Sequence, residues 1–303
     1  MDQNVQNIIE TNNLTVTYGT SRGIQDVNLA VEKGEIFGFL GPNGAGKTTT
    51  QRVLLDIIRP VSGSAKLFGL DAQKEGVKAR QRIGYVPGEL NLPPQMRGRQ
   101  YLNMLDGVRP KKADDTYRRK LIARFDLDIT KRIRAYSRGN KQKLALIAAF
   151  MGKPDLLILD EPTGGLDPLM QQAVIDTVRE AKDDGRTVFF SSHVLPEVQA
   201  VCDRVAVIRD GEIVATERVG DLLKKRSHRI RIRFANEVPE DAFLSDQVKI
   251  VEQTSQGVRV EIYSGLEKFM TTASQFGITD IQTDELSLEE AFMSFYGQNN
   301  GQK

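Results

Sequence analysis

The stretch "GPNGAGKTTT", residues 41–50, separates two segments with different hydrophobic patterns. Before it, residues 35–40 (EIFGFL) form a short apolar run that predicts a buried strand. After it, residues 47–58 have the apolar spacing of an amphipathic helix, which we expect Pro60 to end. A strand that leads through a glycine-rich loop into a helix is typical of α/β proteins with a mostly parallel sheet.

The loop itself, residues 41–48, matches the pattern G-x-x-x-x-G-K-[ST] in the setting that this motif requires. Glycines let backbone N–H groups turn toward phosphate oxygens, and the amino end of the helix adds positive partial charge. We expect Lys47 to reach the β- and γ-phosphates, Thr48 to ligate Mg²⁺ and Thr49 to hydrogen-bond the α-phosphate of a nucleoside triphosphate. The other candidate contacts are Gly41, Asn43, Gly44, Ala45 and Gly46. The alternative is a glycine-rich turn without a ligand.

Two adjacent carboxylates follow the apolar run at residues 156–159 (LLIL), which predicts a strand buried on both faces. Asp160 and Glu161 would then lie at the carboxyl edge of the sheet, where open α/β sheets bind ligands. Neighbouring strand residues point in different directions, so the two acids have different roles. We expect Asp160 to hold Mg²⁺ and Glu161 to deprotonate the attacking water. The alternative is that both acids only cap a solvated strand end.

Composition limits the class of protein. The chain has 303 residues, 40% of them hydrophobic, and a net charge of +2, which neither favours nor excludes nucleic acid. Cys202 is the only cysteine, so an internal disulfide is excluded. The first 13 residues do not resemble a signal peptide, and no run approaches the roughly 20 apolar residues that cross a bilayer. We therefore expect a cytoplasmic protein that reaches a membrane only through a partner.

The pattern along the chain indicates two domains. Alternating residues between Leu14 and Val31 predict antiparallel strands with a turn at residues 20–23, and residues 88–153 are mostly helical. Asp167 and Pro168 begin a helix that runs to Gly185, and residues 187–193 (TVFFSSH) form another buried strand ending in His193. The strands that alternate with helices predict a mostly parallel sheet.

Residues 228–297 predict a small separate α+β domain. It contains an alternating strand at 228–234 (HRIRIRF), a hairpin at 248–263, a helix at 265–277 and a last helix at 287–296. The first strand places Ile230, Ile232 and Phe234 on one face and Arg229, Arg231 and Arg233 on the other. This basic face is interpreted as solvated, with lipid headgroups or an acidic loop of a partner as alternatives. His228 is expected at the surface, and residues 298–303 as a disordered tail.

Residues 136–150 (YSRGNKQKLALIAAF) carry the most distinctive pattern. Small residues precede a helix whose first N–H groups are free, so Ser137 and Gly139 form a second phosphate-binding surface. In order and spacing, this segment resembles the nucleotide-binding domain of an ABC transporter, together with the loop at 41–49, the acids after residue 159, "GLD" at 165–167 and His193. The resemblance covers about residues 8–222.

The resemblance implies a P-loop NTPase cassette with a mostly parallel sheet core, an antiparallel β subdomain and a helical subdomain at about 88–153. It also implies a head-to-tail homodimer that sandwiches two ATP molecules. In that dimer Ser137 and Gly139 would contact the partner's γ-phosphate, and Asp167 would act across the interface. Tyr18 would stack on adenine, although it could equally be a strand aromatic packed on the core. His193 would hold the γ-phosphate and the base in register; without the other motifs, a histidine after a strand is more often structural.

The sequence departs from the family pattern at two places. In the usual LSGGQ-like segment, Arg138 replaces a glycine and Asn140 a glutamine; Arg138 either adds positive charge near the facing nucleotide or points to solvent. In residues 83–90 (IGYVPGEL), Gly88 stands where the family commonly has a glutamine that contacts Mg²⁺. Glu89 is the candidate to replace that glutamine through a water molecule.

The predicted function is that of the ATP-hydrolysing subunit of an ABC exporter. The small carboxy-terminal domain is similar to the extension of cassettes that serve ABC-2 type exporters. The expected partner is an integral-membrane ABC-2 type permease. It would dock near residues 89–101 and hold this chain on the inner face of the cell membrane, and no nucleic-acid partner is expected. The alternative is a soluble ABC ATPase acting on nucleic acid or ribosomes, but such proteins usually carry an inserted coiled coil or a second cassette. A regulatory module without turnover is disfavoured by the presence of Lys47, Asp160, Glu161 and His193.

Overall fold

The structure is a computed structural model that describes residues 6–19, 21–110, 112–224, 228–239, 241–245, 247–262 and 264–284. It divides into two compact units, Met1–Val219 and Gly220–Lys303.

The first unit contains two sheets and the helices between their strands. In chain order its elements are β1 (Asn7–Tyr18), β2 (Ser21–Glu32), β3 (Ile36–Leu40), α1 (Lys47–Leu54), β4 (Ser62–Leu67), β5 (Leu70–Asp71), α2 (Gly76–Arg80), β6 (Ile83–Val86), α3 (Gly98–Gly107), α4 (Asp115–Arg124), a 3-10 turn (Ile133–Ala135), α5 (Arg138–Phe150), β7 (Leu156–Asp160), α6 (Pro168–Asp183), β8 (Thr187–Ser192), α7 (Leu195–Val201), β9 (Arg204–Arg209) and β10 (Glu212–Arg218).

The smaller sheet is antiparallel, with the order β2-β1-β4-β5. β1 and β2 pair as their alternating sequence predicts, and inward residues such as Leu14 and Val27 are fully buried. The predicted turn at residues 20–23 was placed too late, because β2 begins at Ser21, opposite Tyr18. This sheet leaves Tyr18 at the end of its strand.

The larger sheet has six strands in the order β10-β9-β3-β8-β7-β6, and only the edge strand β10 runs antiparallel to its neighbour. Every residue of β3 and β7 is buried, as their uninterrupted apolar sequences predict. The order places β8 between β3 and β7. The loops after these three strands therefore meet at one edge, where residues 41–46, Glu161 and His193 follow the strand ends. This confirms the predicted α/β class.

The helix after the glycine-rich loop is shorter than predicted. α1 ends at Leu54 instead of Ile58, so Pro60 is not its terminator. Asp56 has a left-handed φ of 54°, and the backbone N–H of Ile57 donates to the Arg52 carbonyl at 2.8 Å. This left-handed turn satisfies carbonyl groups at the end of the helix and changes the direction of the chain before the proline.

The second unit begins at the second residue of α8 (Val219–Lys224). Its elements are β11 (His228–Phe234), β12 (Val248–Thr254), β13 (Gly257–Ile262), α9 (Leu266–Ser274) and β14 (Ile278–Asp284). The antiparallel sheet has the order β12-β13-β11-β14. As expected, Ile230, Ile232 and Phe234 are buried, while Arg231 and Arg233 are exposed.

The predictions for this unit missed one strand, and several of them fall on residues that the structure does not describe. β14 was not predicted, because its sequence, ITDIQTD, has few apolar residues. The predicted helix at 287–296, the tail at 298–303 and the side chains of His228 and Arg229 lie outside the described residues. Among the helices of the described ranges, none is both long enough and apolar enough to cross a membrane.

Candidate active site

The glycine-rich loop joins β3 to α1 and presents the amino end of that helix. Gly46, the residue before α1, has a φ of 109°, and a Cβ there would lie 2.5 Å from Ile24 Cγ2. Only glycine fits this conformation and this space. No side chain caps α1, so N–H groups of its first turn stay available to an anion. The loop thus has the features that a phosphate-binding loop requires.

Lys47 is almost completely buried and faces a carboxylate. Its Nζ donates to the Gly41 carbonyl at 2.6 Å and to the Pro42 carbonyl at 3.3 Å. The same Nζ lies 3.2 Å from Glu161 Oε1. The ammonium group is therefore held at the loop, next to the acid that follows β7. Its role at the terminal phosphates stays a prediction.

Asp160 is fully buried and both of its oxygens are bound. Oδ2 accepts from Thr48 Oγ1 at 2.7 Å, which brings together the two predicted metal ligands. Oδ1 accepts from Ser191 Oγ at 2.6 Å and from Gln51 Nε2 at 3.5 Å. The sequence analysis missed Ser191 and Gln51, because a serine in a buried strand and a glutamine in an amphipathic helix carry no distinctive spacing.

The oxygen atoms of Thr48 and Asp160 suit Mg²⁺. Hard oxygen ligands are the ones that Mg²⁺ prefers, and it is typically held by one or two carboxylates together with substrate phosphates and water. Within the described ranges there is no group of three or more His, Cys, Asp or Glu residues that could hold a metal without substrate. The pair therefore fits a cation that arrives with a nucleotide.

Glu161 occupies an unusual backbone conformation and has two charged or ionisable neighbours. Its φ is 50°, in the left-handed region that a non-glycine residue rarely adopts. Its Oε2 lies 2.5 Å from His193 Nδ1, and its Oε1 faces Lys47. Strained residues of this kind concentrate at functional sites. The structure thus brings together Lys47, Glu161 and His193, which lie far apart in the sequence.

Gln142, on α5, holds the backbone around Glu161. Its buried side chain donates to the Pro162 carbonyl at 2.9 Å and lies 3.4 Å from the Glu161 carbonyl. Sequence reasoning missed this contact, because position 142 only continues the polar side of the helix pattern.

Ser137 and Asp167 both begin helices. Ser137 Oγ accepts from the Asn140 N–H at 3.2 Å, and Asp167 Oδ1 accepts from the Met170 N–H at 3.0 Å. Gly139 packs closely, since a Cβ there would lie 3.0 Å from the Gly165 carbonyl oxygen. These contacts explain why a serine, an aspartate and a glycine suit positions 137, 167 and 139 within one subunit. They do not test the roles predicted for these residues between subunits, which stay predictions.

Tyr18 is half exposed at the end of β1, which disfavours the alternative that it packs in the core. Its hydroxyl lies 3.3 Å from Thr49 Oγ1. The ring is therefore placed next to a residue expected at the α-phosphate. A second tyrosine, Tyr85 on β6, lies near Asp160: burial and then the negative charge of Asp160 raise the pKa of Tyr85 to about 12.

Residues 24–164 match the family model described as "ABC transporter". The linearmycin resistance ATP-binding protein LnrL of Bacillus subtilis is 30% identical over 307 residues, covering 96% of this chain and 99% of that protein. The chain belongs to the ABC transporter family. A second relative, the bacitracin transport ATP-binding protein BcrA of Bacillus licheniformis, is 33% identical and covers 96% of this chain and 97% of its own length.

A solved structure also shows the ABC cassette fold. The dimeric post-hydrolysis state of the ATP-binding cassette MJ0796, bound to ADP and Pi, superposes with a TM-score of 0.63 at 23% identity, over 70% of this chain and 98% of that chain. As an ATP-binding protein of the ABC transporter family, the chain binds ATP and is an ATPase.

Both departures from the ABC pattern line one cavity of about 660 Å³ at the active site. Gly88 and Glu89 lie on it together with Arg138, Glu161 and His193. A Cβ at Gly88 would lie 2.9 Å from Asp160 Oδ2, so any side chain at this position would crowd the carboxylate. The exposed Arg138 side chain runs past Gly165 and therefore faces this cavity.

Proposed function

We propose that this chain is the ATP-hydrolysing subunit of an ABC-2 type exporter that powers a separately encoded integral-membrane permease. The observation that carries the proposal is the position of Glu161, between Lys47 and His193 and one residue after Asp160. The relatives named for bacitracin transport and linearmycin resistance match this chain over nearly its whole length. Docking on a permease would place the chain on the inner face of the cell membrane.

In this proposal the terminal phosphates of ATP bind the loop of residues 41–46 and the first turn of α1. Lys47 neutralises charge on the β- and γ-phosphates, and Thr49 binds the α-phosphate. Thr48 and Asp160 hold Mg²⁺, which when bound offsets negative charge on the phosphate oxygens. Lys47 also needs little rearrangement, because its Nζ already lies at the loop.

Glu161 is the general base in this proposal. Its carboxylate accepts the proton of the attacking water, and His193 fixes the carboxylate through the 2.5 Å contact. Lys47 lies 3.2 Å from the other oxygen of the same carboxylate. Phosphate binding would draw Lys47 toward the nucleotide and so free that oxygen for the water.

The active unit is proposed to be a homodimer that sandwiches ATP. The amino end of α5, a helix of 13 residues, carries Ser137 and Gly139 and a positive dipole end suited to a phosphate. The partner's γ-phosphate would bind there, and Asp167 would act across the interface. The MJ0796 cassette with ADP and Pi bound is itself a dimer, which supports this arrangement.

The proposed docking site for the permease is a groove beside residues 89–101. A cavity of about 310 Å³ lies there, next to β6, α3 and α5, and its lining includes Leu90, Leu92, Tyr101, Leu105 and Ala145. These side chains suit the apolar face of a short helix. We also propose that residues 8–222 and 228–297 act as separate domains, consistent with the two compact units.

The test is co-expression of the full chain with ABC-2 type permeases from the same genome. We expect the two to co-purify from membranes, and the complex to release phosphate from Mg-ATP at a rate that changes with transported substrate. Recovery of the chain on ribosomes or nucleic acid, without a membrane partner, would favour the alternative of a soluble ABC ATPase.

Replacement of Tyr18 tests the proposed adenine contact. Tyr18→Ala should raise the Kd for ATP about 10-fold, because stacking of a base on an aromatic ring is worth roughly 1–3 kcal/mol. Tyr18→Phe keeps the ring and loses only the contact with Thr49, so its Kd should change less than about threefold. Equilibrium binding of a fluorescent ATP analogue measures both. Equal weakening in the two variants would argue against stacking.

A further inference from the structure

Gln51 is a glutamine with no exposed surface in the helix that follows the glycine-rich loop. Its Nε2 lies 3.5 Å from Asp160 Oδ1. Its Oε1 is buried and has no hydrogen-bond partner among the described residues. A buried acceptor without a partner costs about 1–3 kcal/mol, so an amide at this position requires an explanation.

The geometry of α1 explains which way the amide points. Thr48 and Gln51 are three residues apart and therefore share one face of the helix. Thr48 donates to Oδ2 of Asp160, and Gln51 donates to Oδ1 of the same carboxylate. The flipped amide would turn Oε1 toward Oδ1 and oppose two oxygens. Consecutive turns of one helix thus clamp both oxygens of Asp160.

The clamp would matter most if Thr48 and Asp160 held Mg²⁺, because the Thr48 hydroxyl would then no longer be available only to Oδ2 of Asp160. The orientation of the Asp160 carboxylate would then depend on the donors to Oδ1. These are Gln51 Nε2 and Ser191 Oγ, the latter at 2.6 Å. Groups that orient a metal ligand in this way commonly change metal affinity 10- to 100-fold when they are removed.

The loop after β6 supplies no amide side chain at the same carboxylate. Gly88 has only backbone there, and a Cβ would lie 2.9 Å from Asp160 Oδ2, so a side chain at this position would force the loop to move. The amide that contacts Asp160 therefore comes from α1 and not from the loop after β6.

We propose that Gln51 is a positioning residue for Mg²⁺ binding, in that its amide fixes the carboxylate of Asp160 for the cation that accompanies ATP. This inference rests on the proposed roles of Thr48 and Asp160 in metal binding. The proposal explains why Oε1 of Gln51 has no partner. The amide is turned so that Nε2 donates to Asp160, and this orientation leaves Oε1 without a donor.

The experiment uses Gln51→Leu, which has a similar volume and removes both the donor and the partnerless acceptor. Mg²⁺ is titrated into the full chain with a fluorescent ATP analogue, in a Glu161→Gln background that slows hydrolysis. We expect the Mg²⁺ concentration at half-maximal binding to rise about 10-fold or more. The Tm without nucleotide should change little: the lost donor to Oδ1, which keeps its bond from Ser191 Oγ, is offset by removal of the unsatisfied Oε1.

Thr50→Val is the matched control. Thr50 is buried on the same helix and its hydroxyl donates to the Gly46 carbonyl, whereas the side chains that donate to Asp160 in the described ranges are Thr48, Gln51 and Ser191. Its Mg²⁺ midpoint should match that of the parent. An unchanged midpoint in Gln51→Leu, with Mg²⁺-dependent ATP binding intact in the parent, would overturn the role of Gln51 alone. Loss of Mg²⁺ dependence in the parent would overturn the metal site as well. A lower Tm with an unchanged midpoint would show a merely structural role.

Discussion

Lys47→Ala should abolish ATP turnover, with kcat lowered about a thousandfold or more. Removal of a single group that stabilises transition-state charge typically costs 10²–10³ in rate, and Lys47 also serves ground-state phosphates. Charge-assisted hydrogen bonds contribute about 1.5–3 kcal/mol, so the Kd for ATP should rise by about 10- to 100-fold. Steady-state phosphate release and equilibrium ATP binding measure the two effects separately.

The control for this variant is Lys78→Ala, which removes an exposed lysine paired with Glu75 at 3.4 Å on the surface of the same unit. Surface pairs of this kind contribute little to stability, and we expect unchanged turnover. Circular dichroism should show that Lys47→Ala is folded. Hydrolysis by a folded Lys47→Ala at the parent rate would remove the assignment of the phosphate-binding loop.

Glu161→Gln should separate ATP binding from hydrolysis. Glutamine has nearly the same shape as glutamate but cannot accept the proton of the attacking water, so the rate should fall about 10²- to 10⁴-fold. ATP affinity should be retained or improved, because Lys47 loses its carboxylate partner at 3.2 Å and is released to the phosphates. A dimer that cannot hydrolyse its ATP should persist.

Size-exclusion chromatography with light scattering, in excess Mg-ATP, measures that persistence. The parent should appear mostly as a monomer after hydrolysis, and Glu161→Gln as a long-lived dimer that dissociates when Mg²⁺ is chelated. Glu75→Gln, a surface change, should behave as the parent does. A monomeric Glu161→Gln that still binds ATP would argue against the sandwich, and undiminished phosphate release would argue against the role of Glu161 as base.

Much of this site could be predicted from the sequence, because its residues stand at the ends of recognisable elements. The loop before α1, the acids after β7 and His193 after β8 are each placed by a run of buried residues that the sequence shows directly. Parallel strands bring their carboxyl ends to one edge, so the meeting of these groups follows from the fold class.

The rest depended on contacts between segments distant in sequence. Gln51, Ser191 and Gln142 reach the site through buried side chains whose partners lie 109, 31 and 20 residues away in the sequence. No local pattern encodes such pairs. The early end of α1 has a similar cause, because the left-handed turn at Asp56 overrides a hydrophobic spacing that continues beyond it. The weakly apolar β14 forms because β11 offers it an edge.

The place of β8 between β3 and β7 has a consequence for biosynthesis. While the protein is being translated, the strand that leads to Lys47 and the strand that ends in Asp160 leave the ribosome first. Neither can reach the other in register until β8 has emerged and filled the gap. Until then two apolar strand edges stay unpaired on the nascent chain, and unpaired edges of this kind are prone to aggregation.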